Sequence, residues 1–168
     1  MADATNQDAE TIDIRTAHRF DVGPLEEFCR AHVEGYSGDL EVRQFSGGQS
    51  NPTFLLTAGG KRYVMRKKPP GTPLASAHQV DREYRVMKAL AETDVPVPAM
   101  RALCTDPEII GTEFYIMDHL NGRVLRDPQL PGFSAGERTA IYDQMNEVLS
   151  RLHKVDYKAI GLEDYGRP

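Results

Sequence analysis

Two cysteines, Cys29 and Cys104, are the whole thiol inventory of this 168-residue chain. Neither stands in a CxxC spacing or near a histidine cluster. That excludes a disulfide framework and a zinc finger, and leaves two buried thiols as the expectation. No apolar run approaches the length of a membrane-spanning helix. The opening residues, Met1 to Thr5, carry neither a basic region nor an apolar core, so no signal peptide is expected. Positive charge is in deficit as well, with 20 Lys and Arg against 25 Asp and Glu, a net charge of −5 and a pI near 5.5. This balance argues against a general nucleic-acid binder. The expectation is a cytoplasmic-type chain with neither nucleic acid nor a membrane as partner.

What is present describes an ordinary soluble protein: 40% hydrophobic and 27% charged residues. The length is enough for one core, or for one and part of another. Residues 1–13 are polar, acidic and aperiodic, and the first 20 residues are expected to form a mobile arm. Leu25, Phe28, Cys29 and Val33 recur at helical spacing, with Pro24 suited to a first turn. Three segments then read as antiparallel strands: residues 40–45, 53–57 and 61–67. Ala58-Gly59-Gly60 is a hairpin signal between the second and the third.

Between the first two strands lies Gly47-Gly48-Gln49-Ser50-Asn51. Turn statistics alone read it as a plain hairpin. Glycines also let backbone approach a ligand and aim N–H groups at an anion, with Ser50 and Asn51 able to add side-chain hydrogen bonds. Residues 69–73, Pro-Pro-Gly-Thr-Pro, form a loop, and a helix is expected over residues 77–92. Its apolar arc holds Val80, Tyr84, Met87, Leu90 and Ala91, with Arg82, Arg85 and Lys88 outside it.

Glu83 falls inside that arc. A carboxylate there either sits at the stripe's edge in contact with water or requires a partner. A cation from the third strand can supply one. Arg66 and Val64 share one face of that strand, Met65 and Lys67 the other, and a bulge would exchange them. Such a pairing is what a kinase-type nucleotide site needs: a strand cation on the α- and β-phosphates, steadied by a helix carboxylate. Val64, two positions before Arg66, would then pack on adenine. Arg62, Arg66, Lys67 and Lys68 also fit a solvated basic edge that discourages sheet pairing.

Two further strands are expected at residues 99–104 and 113–118, followed by a polar crossing, Asp118-His119-Leu120-Asn121-Gly122-Arg123. His119 has no second histidine near it and reads as a surface residue. Ser134 and Glu137 have capping-box spacing, opening a helix over residues 135–154. Its stripe of Ile141, Met145, Val148, Leu149 and Leu152 wants a partner. Either it docks on the sheet, or it begins a second lobe.

Several motifs together carry a resemblance: Gly47-Gly48-Gln49-Ser50-Asn51-Pro52-Thr53, Tyr63-Val64-Met65-Arg66-Lys67-Lys68-Pro69-Pro70-Gly71, Ala77-His78, Arg82-Glu83-Tyr84-Arg85, Val95-Pro96-Val97-Pro98, Ile110-Gly111-Thr112 and Phe114-Tyr115-Ile116-Met117. Leu152-His153 with Asp156, and Gly161-Leu162 with Asp164-Tyr165-Gly166-Arg167-Pro168, continue the pattern. In this order they resemble the aminoglycoside phosphotransferase family, which has a protein-kinase-like fold. The branch is that of the kinase-like domain attached to some acyl-CoA dehydrogenases. The resemblance runs from about Arg15 to Pro168.

It implies an α+β architecture: a kinase-like amino-terminal lobe of five antiparallel strands with one inserted helix over residues 21–120, then the hinge exit and first helix of a truncated second lobe over residues 121–168. It further implies ATP as nucleotide, held by Gly47, Gly48, Gln49, Ser50, Asn51, Val64, Arg66, Glu83, Met117, Asp118 and Leu120. Ser50 would touch phosphate, and the Asp118 carbonyl and the Leu120 amide would meet adenine. Lys67 is the alternative phosphate contact. The sequence departs from the family in one respect: it contains neither a His-Gly-Asp catalytic loop nor a later metal-binding Asp. Those, and the Mg²⁺ ligands, are expected beyond Pro168. The implied activity is transfer of the γ-phosphoryl group to a hydroxyl of a small molecule, with this chain alone inactive. The alternative is a kinase-like binding module without catalysis.

Overall fold

The computed structural model describes residues 10–47, 51–69 and 79–166. Its centre is an antiparallel sheet in the order β1-β2-β3-β4-β6-β5. The strands are β1 (Thr11–Ile12), β2 (Glu41–Phe45), β3 (Thr53–Ala58), β4 (Lys61–Lys67), β5 (Met100–Cys104) and β6 (Phe114–Asp118). Helix α1 (Val22–His32) precedes β2, α2 (Val80–Leu90) falls between β4 and β5, and α3 (Ala135–Lys154) follows β6.

Alternation along the strands decides which side chains form the core. Phe54 and Leu56 of β3, Tyr63 and Met65 of β4, and Phe114 and Ile116 of β6 are buried together with Leu25, Cys29 and Val33 of the α1 segment. Phe28 packs edge-on against Phe114, and Phe20 edge-on against Phe54. Each such side chain contributes about 1.5–3 kcal/mol on burial, so α1 is the cover of one sheet face. Asp21 caps α1, accepting the Gly23 N–H at 3.0 Å. Pro24 sits in its first turn, where the missing N–H costs nothing.

The β3–β4 hairpin closes through two residues, since Ala58 pairs with Lys61. Gly59 and Gly60 have φ of +55° and +76°, the left-handed values that a two-residue hairpin turn requires.

The sheet has six strands, where the sequence pattern leads to five. The added one is β1, paired as Thr11↔Phe45 and Ile12↔Gln44. Two residues are too few to display a period of two, so the pattern cannot reveal them. The expected arm over residues 1–20 therefore ends short. From Glu10 onward the backbone is tied to the sheet, with the Ser46 N–H donating to the Glu10 carbonyl at 2.9 Å. Arg15 N–H and the His18 ring both meet the buried amide of Gln44. Residues 1–9 lie outside the described residues.

Helix α3 opens with the expected capping box: Ser134 and Glu137 each bond the other's backbone N–H. None of its side chains is buried, so it does not dock on the sheet. Among the described residues no helix is long and apolar enough to cross a membrane.

Candidate functional site

The sheet face opposite α1 carries a different set of side chains. Strand β4 pairs with β3 from Lys61 to Arg66 and with β6 from Tyr63 to Lys67, with no register shift. No bulge exchanges its faces, so Val64 and Arg66 point to this side. Their cross-strand neighbours on β6 are Met117 and Tyr115 respectively. Val64 and Met117 thus form an adjacent apolar pair, with the Arg66 guanidinium two residues along.

Helix α2 passes over this face and brings Glu83 to Arg66. Arg66 Nε lies 3.0 Å from Glu83 Oε2, with each side chain about one-third exposed. The same carboxylate accepts two hydrogen bonds: from Asn51 Nδ2 at 3.1 Å on Oε1, and from the Tyr115 hydroxyl at 3.0 Å on Oε2. Burial pushes the Tyr115 phenol well above its ordinary range, and the charge of Glu83 pushes it further. It is therefore a fixed O–H donor to the carboxylate at neutral pH. Glu83 meets the requirement for a partnered carboxylate, and its charged partner is Arg66.

Lys67 occupies the other face. It is 5% exposed, with its ammonium 5.5 Å from the centre of the Phe20 ring. Loss of hydration lowers its pKa. A basic solvated edge does not describe it, although Lys68 does reach a carboxylate, Glu113, at 2.7 Å.

At the end of β6 the chain is fastened by a bidentate pair. Arg101 Nε and Nη2 donate to the two oxygens of Asp118 at 2.7 and 2.6 Å. Arg101 stands at a register shift between Met100 and Ala102; such a bulge re-aims a side chain that regular pleating would place elsewhere. Arg62 bonds the Asn121 side chain from β4. The His119 ring lies parallel to that of Phe45, within 7° and with centroids 6.5 Å apart. His119 therefore stacks on the last residue of β2 and does more than coat the surface. Leu120 is exposed.

The glycine stretch lies between Phe45 of β2 and Thr53 of β3. A Cβ placed on Gly47 would meet no atom within 4 Å, so packing among the described residues does not itself demand glycine there. Gly48, Gln49 and Ser50 lie outside the described residues. Asn51 is 3% exposed and directs its amide to Glu83, so its visible contribution is to hold that carboxylate.

Four contributors escaped the sequence pattern. Tyr115 could have been found from strand parity with Met117, two residues on. Arg101 carries no local signal, because its aim depends on the bulge. Arg82 and Arg85, outside the apolar arc of α2, reach the turn at residues 161–165. Among the described residues no group of three or more His, Cys, Asp or Glu could hold a metal ion.

Comparison with known proteins supplies the family context. Residues 41–168 match the model of the phosphotransferase enzyme family. A Ralstonia eutropha protein of solved structure, provisionally assigned as an aminoglycoside phosphotransferase, is 58% identical with a TM-score of 0.78, covering 89% of this chain and 43% of that one. Acyl-CoA dehydrogenase family member 11 is 48% identical over 161 residues in Gallus gallus and 41% identical over 170 in Homo sapiens. These alignments cover 94% and 99% of this chain but 21% and 22% of the relatives. The chain spans about a fifth of their length. The architecture is that of the α+β, kinase-like amino-terminal lobe with its inserted helix.

Proposed function

The chain belongs to the phosphotransferase enzyme family, and from that premise we propose that it is the nucleotide-binding part of an ATP-dependent kinase acting on a hydroxyl of a small molecule. The observation that carries this reading is the Arg66–Glu83 pair, set 3.0 Å apart between β4 and α2 on the face that also holds Val64 and Met117. A cation steadied by a helix carboxylate beside an apolar bed is the arrangement that positions nucleotide phosphates and base.

On this reading Arg66 meets phosphate oxygens, and Glu83 keeps the guanidinium from swinging away. Val64 and Met117 bed the adenine, while backbone groups at Asp118 and Leu120 supply its hydrogen bonds. Arg101 holds the Asp118 side chain so that this stretch of backbone keeps its place. Residues 47–51 would approach the phosphates through main-chain N–H groups. ATP supplies the transferred phosphoryl group. The catalytic base and the Mg²⁺ ligands fall, on this reading, in chain beyond Pro168, as the 43% coverage of the Ralstonia relative supports. On this reading the reaction is cytoplasmic.

Calorimetry with ATP tests the reading. Replacing Arg66 by Ala removes a charge-assisted contact of about 1.5–3 kcal/mol, a loss of about tenfold or more in affinity. Lys67→Ala should leave ATP affinity unchanged. The reverse pattern would transfer the phosphate role to Lys67, and no ATP binding by the unaltered chain would sink the reading. The alternative is a kinase-like binding module without catalysis. Phosphate release by a longer chain containing the catalytic loop separates the two.

A further inference from the structure

Helix α2 is lightly held for an element on which Glu83 depends. It has 11 residues, and only Val80 and Leu90, at its two ends, are buried. A helix of this length is marginal without outside support.

Part of that support comes from a turn far along the chain. Arg85 donates to both oxygens of Asp164, at 3.0 and 2.5 Å, and to the Gly161 carbonyl at 2.7 Å. Arg82 donates to the Tyr165 carbonyl, and its guanidinium lies 4.1 Å from the centre of the Tyr165 ring. The hydrogen bond and charge of Arg85 hold the Asp164 carboxyl below its ordinary range, against a smaller opposing effect of desolvation. The turn itself is anchored by Leu162, which is buried and donates its N–H to the Tyr157 carbonyl at 2.8 Å. Gly161, at φ +72°, lets the backbone reverse there.

Arg82 and Arg85, three apart, lie on one side of α2. Glu83 is about 100° around the axis from Arg82 and faces the sheet. Two guanidinium forks on a fixed turn therefore restrain both the rotation and the tilt of the helix. A rotation that released them would carry Glu83 away from Arg66.

We propose that the Asp164–Tyr165 turn is a latch that positions Glu83 against Arg66, so that residues beyond α3 set the readiness of the strand cation. Asp164, Arg82 and Arg85 are positioning residues and touch no substrate. Their consequence for nucleotide rests on the function proposed above; their effect on the Arg66–Glu83 pair does not.

The test uses the 168-residue chain with two readouts. Amide hydrogen exchange follows α2, and the ¹⁵N signal of Arg66 Nε reports its proximity to Glu83. Arg82→Met/Arg85→Met and Asp164→Asn should speed exchange across residues 80–90, leave β3 and β4 protected, and shift the Arg66 signal. Asp164→Glu, which keeps the charge, should restore both. ATP affinity should fall about three- to tenfold in the unlatched variants, as the binding-competent fraction shrinks. An unmoved Arg66 signal in the double variant overturns the latch, as does faster exchange throughout the sheet, which would mark a merely structural role. Should the unaltered chain bind no ATP while the Arg66 signal still follows Asp164, the latch stands and the nucleotide reading falls.

Discussion

Arg66 and Glu83 are joined by charge more than by a hydrogen bond. Their nearest atoms are 3.0 Å apart, yet Arg66 Nε is buried and not aligned to donate to the oxygen it approaches. That oxygen accepts instead from the Tyr115 hydroxyl, and its twin from Asn51. Two uncharged donors thus hold the carboxylate in place, and the carboxylate holds the cation electrostatically. A guanidinium tethered in this way keeps its other donors able to turn toward an anion, which rigid bidentate pairing would prevent.

Tyr115→Phe tests this division of labour. It removes one hydrogen bond to a charged acceptor and leaves the ring packing intact, so stability should fall by about 1–2 kcal/mol in urea unfolding. Glu83 then loses one of its two uncharged anchors, and ATP affinity should weaken with it. A variant as stable as the parent would show that water serves the Glu83 carboxylate as well as the hydroxyl does, and the network account would fail.

The β3–β4 hairpin makes a sharper structural prediction. A Cβ on Gly59 would come within 2.5 Å of the Ser37 carbonyl oxygen, and φ there is +55°. Backbone cannot yield as a flexible side chain does. Gly59→Ala should therefore cost at least the ~1–3 kcal/mol of a strained left-handed residue. Gly60→Ala, with φ +76° but open space around it, should cost less. Equal losses in thermal unfolding would show that φ alone matters.

How far these features could be read from sequence depends on the range of the cause. Strands β2 to β6 announce themselves because alternation is local, and the Ser134–Glu137 box because it spans three residues. Glu83 was legible as a carboxylate needing a partner, and Arg66 as a partner through strand parity. Tyr115 and Asn51 were not legible as its anchors, since their reach is tertiary. Strand β1 was hidden by its two-residue length, Arg101 by the bulge that re-aims it, and the Arg85–Asp164 contact by the 79 residues between them. The reading of residues 48–50 lies outside the described residues.

Alkaline pH should weaken the fold through Cys29. Burial, and then the charge of Glu26, push its thiol from 9.0 up to about 12. The folded form keeps this proton where the unfolded chain has released it. The stabilisation is therefore complete below pH 9.0 and is lost as pH rises toward about 12. Lys67 works the other way, because burial lowers its pKa from 10.5. In the window below 10.5 the unfolded chain binds the extra proton, so rising pH favours the fold. Urea midpoints taken from pH 8 upward should fall less steeply for Cys29→Ala than for the parent, and more steeply for Lys67→Met. Parallel slopes in all three would exclude both groups as the titrating sites.

Helix α3 leads to the last prediction. Met145 is 60% exposed, Leu149 48% and Leu152 43%, with Tyr142 beside them at 42%, and no side chain of the helix is buried. Contiguous apolar surface of this kind drives association. The 168-residue chain should therefore show concentration-dependent oligomers in sedimentation velocity. Met145→Lys with Leu149→Lys should shift it toward monomer. Because neither side chain packs against the sheet, the double substitution should change unfolding stability by no more than about 0.5 kcal/mol. Were the stripe docked on the domain, each large-to-polar replacement would open a cavity and cost about 2–5 kcal/mol. A monomeric parent, or a double variant that unfolds several kcal/mol more easily, would mean that the face is already covered within this chain.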